Sequence, residues 1–144
     1  MKHSYILQEA NWKATGVYYD SDCNQFEVYG ETSITHFKDE WVLDGFMELK
    51  LDNPVRFFNK YSITPLLVGK DFTKWVSQNP ALGKLSGRFM IIGDTILSSY
   101  SSEKGDYSGS ESLVLLDNGT YHNRGFAFNG DCKLSSWEVT LKRV

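Results

Sequence analysis

Hydrophobic and polar residues alternate with a period of two along most of the chain. In Trp41–Leu51 the odd positions Trp41, Leu43, Gly45, Met47, Leu49 and Leu51 oppose Asp44, Glu48 and Lys50. That is the pattern of a strand with one buried and one wet face. The same parity sets Phe26, Val28 and Ile34 against Glu27 and Glu31. It sets Val55, Phe57, Tyr61 and Ile63 against Arg56 and Lys60. It also sets Trp137, Val139 and Leu141 against Glu138, Thr140 and Lys142. Counting such runs predicts strands at 12–19, 25–37, 41–51, 55–64, 84–92, 95–102, 107–117, 120–128 and 132–143.

The segment 65–79 leaves two readings open. Asp71 can cap a short helix over 71–79 that puts Phe72, Trp75 and Val76 on one face, or the segment holds a tenth strand and a loop.

The runs are separated by turn-forming residues: Asp20–Asn24, Lys38–Glu40, Asp52-Asn53-Pro54, Gly93-Asp94 and Glu103–Asp106. Near the C-terminus stand two Asn-Gly pairs, Asn118-Gly119 and Asn129-Gly130. Asn-Gly is a strong short-hairpin signal because both residues accept positive φ. Hairpin-length connections imply an antiparallel sheet in chain order, and closing nine or ten strands into a barrel removes both exposed edges. The expectation is all-β: one antiparallel up-and-down barrel spanning residues 1–144 as a single domain. Its interior would be filled by side chains or would hold one small ligand.

Hydrophobic residues make up 41% of the 144 and charged residues 23%, as in a globular chain, and the net charge of −3 argues against nucleic-acid binding. No run of about 18 apolar residues predicts a membrane span. The first nine residues lack the apolar stretch of a signal peptide. The expectation is a cytoplasmic protein in which Cys23 and Cys132 are free thiols and Asn118-Gly119-Thr120 is turn chemistry rather than a glycosylation site. No metal-ligand spacing, nucleophile elbow, phosphate loop or dinucleotide fingerprint is present.

Trp12 opens the first strand and Arg143 ends the last, on the face of Trp137, Val139 and Leu141. In this the chain resembles the calycin group of barrels: lipocalins, fatty-acid-binding proteins, avidins and their relatives. There an Arg or Lys from the last strand packs across a Trp of the first strand at the closed end. The group's Gly-x-Trp is Ala10-x-Trp12 here. The resemblance implies a barrel that holds a small apolar or amphipathic molecule, with Trp12 and Arg143 in cation–π contact.

Candidate chemistry lies in polar groups on the inward parity, which must find partners there. His36 shares a face with Phe26, Val28 and Ile34, as a ligand contact, a general base or an axial haem ligand, or else as a half-exposed residue at a strand end. No cofactor is otherwise expected. Asn59, Tyr61, Tyr100, Tyr121, Asn123 and Ser135 fall inward, and His122 outward. Residues 107–117 are apolar on both faces, which leaves Glu111 undecided; facing inward, its carboxyl would have a raised pKa. The candidate ligand-binding set is Trp12, His36, Asn59, Tyr61, Tyr100, Glu111, Tyr121, Asn123, Ser135, Trp137 and Arg143. A small-molecule binding module comes first. Second is a filled, homodimeric interaction barrel using Phe46, Phe58, Phe126 and Phe128. Third is an isomerase, lyase or hydrolase that employs Glu111, His36 and a Tyr.

Overall fold

The alternation becomes ten strands. A computed structural model describes residues 2–80 and 82–144; Met1 and Ala81 lie outside the described residues. The strands are β1 (Ala10–Tyr19), β2 (Gln25–His36), β3 (Trp41–Leu49), β4 (Val55–Ile63), β5 (Phe72–Asn79), β6 (Gly83–Ile92), β7 (Thr95–Ser102), β8 (Tyr107–Asp117), β9 (Thr120–Asn129) and β10 (Cys132–Arg143). Each pairs antiparallel with its neighbours in sequence, and β1 pairs β10, so the sheet closes on itself. No helix among the described residues is long and apolar enough to cross a membrane.

Residues 71–79 form no helix. Phe72–Asn79 is a strand, with Thr73, Trp75 and Ser77 buried and Phe72, Lys74, Val76 and Gln78 exposed. Phe72, Trp75 and Val76 sit at helical spacing, but an eight-residue ladder to β6 satisfies the backbone and puts Trp75 in the core. Polar Thr73 and Ser77 on the inward face disguised the period-two pattern.

The predicted hairpins form with different turn chemistry. Asn118-Gly119 is the two-residue loop between β8 and β9, but neither residue has positive φ. At the next hairpin the loop is Gly130-Asp131, one residue later than the Asn-Gly reading, because Asn129 already pairs with Cys132. Gly130 has φ 56°, and Gly93, which opens the Gly93-Asp94 loop, has φ 57°. Glycine first in a two-residue loop is what a type II′ turn calls for.

One end of the barrel is sealed. Trp12, Ile34, Leu43, Ile63, Phe89, Ile96, Leu113, Leu115, Tyr121 and Leu141 are buried there. The segment before β1 plugs this end, burying Ser4, Tyr5 and Ile6. The Tyr121 hydroxyl accepts the Ser4 and Tyr5 backbone N–H groups at 3.1 and 3.4 Å and meets His3 Nδ1 at 3.0 Å. Because His3 Nε2 faces the Gly93 carbonyl at 2.8 Å, Nε2 carries the proton; in the neutral ring Nδ1 accepts from Tyr121. Ile6 is only 1% exposed and has φ 61°, a conformation a β-branched residue seldom adopts. Its strain, of order 1–3 kcal/mol, is offset by burial of its side chain, worth about 1.5–3 kcal/mol.

The wall has one weak joint. β4 and β5 match only at Ser62↔Val76 and Ile63↔Trp75, near the sealed end, whereas every other adjacent pair matches seven residues or more. From there toward the other end a seam separates Val55–Tyr61 from β5.

Candidate binding site in the barrel interior

The seam and the unplugged mouth both lead to the half of the interior where inward residues keep solvent contact. Tyr18, Phe26, Met47, Asn59, Tyr61, Tyr100, Tyr107, Glu111 and Trp137 are half-buried, and Phe57 is 42% exposed. Val28, Leu49, Leu85 and Ala127 on the same parity are buried, so solvent touches part of this lining and not all of it.

A three-residue hydrogen-bond chain runs across the wall here. Trp137 Nε1–H donates to Asn123 Oδ1 at 3.2 Å. Asn123 Nδ2 then donates to Glu111 Oε2 at 3.2 Å and to the Ser112 carbonyl at 3.1 Å. The donors and acceptors fit only one orientation of the Asn123 amide. Glu111 Oε1 has no protein partner among the described residues and is not sealed from solvent.

Register builds this chain. Glu111 and Trp137 both lie opposite Gly125, and a Cβ there would stand 2.2 Å from Trp137 Cζ2. Only glycine lets the indole lie across β9 and reach Asn123.

Burial pushes the Glu111 carboxyl above the usual carboxylate range, and the Asn123 hydrogen bond partly opposes this. Burial likewise raises Tyr5 and Tyr61, with the charge of Glu111 second. For Tyr100 burial comes first, then Tyr107, then Glu111. These three phenols thus feel the charge of the carboxyl, and all stay protonated near neutrality.

The aromatic lining is ordered. Tyr61 stacks on Trp75 with ring centroids 4.1 Å apart, and Trp75 Nε1–H donates to Ser98 Oγ at 3.2 Å. Tyr100 lies 5.6 Å from Trp75 and 6.2 Å from Tyr107. At the mouth Tyr18 stacks on Phe57 at 5.9 Å.

Among the sequence candidates, Tyr61, Tyr100, Glu111, Asn123 and Trp137 gather in this half. Asn59 faces inward beside the seam, and Ser135 sits half-buried at the β-bulge between Lys133 and Ser135. Trp12, Tyr121, His36 and Arg143 belong to the sealed end. Trp12 and Arg143 are register partners, yet Arg143 is exposed and its Nη1 donates to Gln8 Oε1 at 2.8 Å rather than lying over the Trp12 ring. The plug residue Gln8 draws the guanidinium outward. Trp12 packs edge-on against Tyr5 and Tyr121, and its buried Nε1 has no hydrogen-bond partner. His36 Nε2 donates to the Ile6 carbonyl at 2.8 Å and its ring lies on Trp41 at 3.9 Å, so that nitrogen and one ring face are taken. No hydrogen bond joins His36 to Glu111.

Trp75, Tyr5 and Ser98 are site neighbours that pattern reading missed. Trp75 was hidden by its helical spacing, and Tyr5 lies outside any periodic run. Elsewhere, a cleft of about 230 Å³ straddles the β4–β5 seam, lined by Lys60, Tyr61, Ser62, Val76, Ser77 and Gln78 among others. A second, of about 320 Å³, lies over β1, β10 and β9, with His122, Arg124 and Glu138. Glu111 lines neither. Cys23 and Cys132 are free and exposed. No group of three or more His, Cys, Asp and Glu side chains among the described residues could hold a metal ion. The outward phenylalanines form two separate patches: Phe46 and Phe58 on β3 and β4, and Phe126 and Phe128 on β9.

No protein-family model matches the chain, and no curated protein matches it. Solved structures that share its architecture include two with high similarity over nearly the whole chain. The S-type phycobiliprotein lyase CPES from Guillardia theta is 9% identical, with a TM-score of 0.66 over 94% of this chain and 88% of that one. Rv2717c from M. tuberculosis is 13% identical, with a TM-score of 0.67 over 96% and 93%. At such identities the likeness is one of fold alone: a closed antiparallel barrel, here of ten strands.

Proposed function

We propose that the protein is a small-molecule binding protein that holds an apolar or amphipathic ligand in the mouth half of its barrel. The observation that carries this is the Trp137–Asn123–Glu111 chain, which ends in a carboxyl oxygen with solvent contact and no protein partner, inside aromatic walls. A barrel built only to pack itself gains nothing from an inward carboxyl whose charged form is costly to bury. Convergent polar groups on an apolar lining are the usual makeup of ligand sites. A barrel of the same fold bears the name of a phycobiliprotein lyase, although fold alone does not assign function. Binding is favoured over catalysis because His36 is engaged at the sealed end, which leaves Glu111 without a second acid–base group of ordinary pKa.

The test is titration with the neutral apolar probe N-phenyl-1-naphthylamine, followed by its emission and by amide and indole N–H shifts in NMR spectra. One probe per chain, with shifts at Glu111, Asn123 and the Trp137 indole, is expected. A folded protein that takes up no probe overturns the reading. Shifts confined to the Phe58 or Phe126 walls would instead support a surface interaction role, which the 70% and 46% exposure of those rings favours as the second reading.

A further inference from the structure

We infer that the ligand held in the interior is an amine in its ammonium form, carried on an apolar or aromatic body, with Glu111 as its counter-charge. The inference rests on the binding reading above and narrows it to one chemical class. Inward positions on β1 to β10 carry no Lys or Arg around Glu111. Arg56, Lys60, Lys74, Lys84, Arg88 and Arg124 all sit on the outward parity, and Arg143 is exposed at the sealed end. Among the described residues the ion pairs are Lys50–Glu27 and Arg56–Glu48, both on side chains of the outer surface. Glu111 is therefore a carboxyl in the interior with no protein cation to match it. Its one side-chain donor is Asn123, a neutral amide that fills a fraction of the carboxylate's acceptor capacity.

The surroundings select the same partner. Tyr61 and Tyr100 lie close enough to Glu111 to feel its charge, and the Trp137 indole, opposite the same Gly125 as Glu111, hydrogen-bonds to the Asn123 that holds the carboxyl. A cation gains both from the ring faces and from an opposite charge in a poorly hydrated site. An anionic head group, such as that of a fatty acid, would meet Glu111 as a like charge with no Arg or Lys to receive it. An alcohol would gain one hydrogen bond and no charge pairing. The burial that raises the Glu111 pKa also makes an ionic partner more effective at restoring its charged form.

The experiment uses octylamine, 1-octanol and octanoate, matched in chain length, titrated calorimetrically at pH 8 into the 144-residue chain and into its Glu111→Gln variant. The Gln side chain still accepts from Asn123, so the wall is kept while the charge is removed. Octylamine is expected to bind the wild type at least tenfold more tightly than octanol, with octanoate weakest. Glu111→Gln should lose the amine's advantage while octanol is retained. Equal binding of the three probes, or a preference for octanoate, overturns the ammonium assignment and leaves the binding site standing. No binding of any probe overturns the binding reading and this inference with it. Should Glu111→Gln fail to fold, the amine-to-alcohol ratio in the wild type decides alone.

Discussion

Replacing Gly125 with alanine attacks the site through its geometry. The added Cβ would stand 2.2 Å from Trp137 Cζ2, 2.5 Å from Cε2 and 2.9 Å from Glu111 Cβ. Carbon atoms in contact settle at roughly 3.5–4 Å, so the indole must retreat by more than about 1 Å or β9 must bow outward. Overpacking of this kind costs about 1–3 kcal/mol. A ring that retreats also lets go of Asn123 Oδ1, now 3.2 Å from its N–H, which adds about 1 kcal/mol. The total of about 2–4 kcal/mol corresponds to a fall in Tm of about 5–15 °C for a chain of this size. Thermal and urea unfolding, followed by circular dichroism, measure it. In a Trp137→Ala background the same substitution should cost less than half as much, because the obstructing ring is gone. Gly119→Ala is the control, since its Cβ would meet only Arg143 Cβ at 3.7 Å and no positive φ is required there. A Gly125→Ala variant within 0.5 kcal/mol of wild type, or an equal cost with and without Trp137, would refute the account of glycine as the seat of the indole.

Three further outcomes are expected. Burial raises the Glu111 pKa, so the folding penalty for its ionised form is absent below the ordinary Glu range and complete above the folded-state pKa; stability from this group falls as pH rises between the two. The urea midpoint of Glu111→Gln should therefore pull ahead of wild type with rising pH, and parallel curves would show that Glu111 titrates as in water. Tyr121→Phe removes the oxygen that serves Ser4, Tyr5 and His3; it should cost about 1–3 kcal/mol and speed proteolytic clipping before β1, and an uncut, equally stable variant would contradict the plug. In hydrogen exchange, alternate amides of Val55–Tyr61 should exchange far faster than those of β9, which is paired on both sides; uniform protection along β4 would mean that the seam is closed in solution.

Parity alone located nine of the strands and brought Glu111, Asn123 and Trp137 into view, since hairpin-linked strands keep inward residues at fixed spacing from their turns. It could not decide Glu111, whose strand is apolar on both faces, because Val114 and Leu116 cover the outer wall as Leu113 and Leu115 fill the inner one. Nor could it join the three residues, because the shared opposition to Gly125 exists only once β8, β9 and β10 are in register. Trp75 was hidden by polar inward neighbours. The plug was invisible because Ile6 departs from every periodic pattern and takes a backbone conformation that its side chain disfavours. The Trp12–Arg143 pairing was right in register and wrong in contact, since Gln8, outside the strands, decides where the guanidinium goes.

A fully laddered barrel behaves as a hoop, and widening it anywhere breaks hydrogen bonds. This one is a clasp. Two register pairs at the sealed end, the Thr64 N–H that donates to the Lys74 carbonyl and the Tyr61–Trp75 stack join β4 to β5, and no ladder joins Val55–Asn59 to β5. The girth of the mouth half can therefore adjust by swinging β4 about that joint without opening another ladder. A guest broader than the relaxed interior would meet compliance at the seam and resistance everywhere else, so its long axis would be set by where the clasp yields, beside Asn59 and Tyr61.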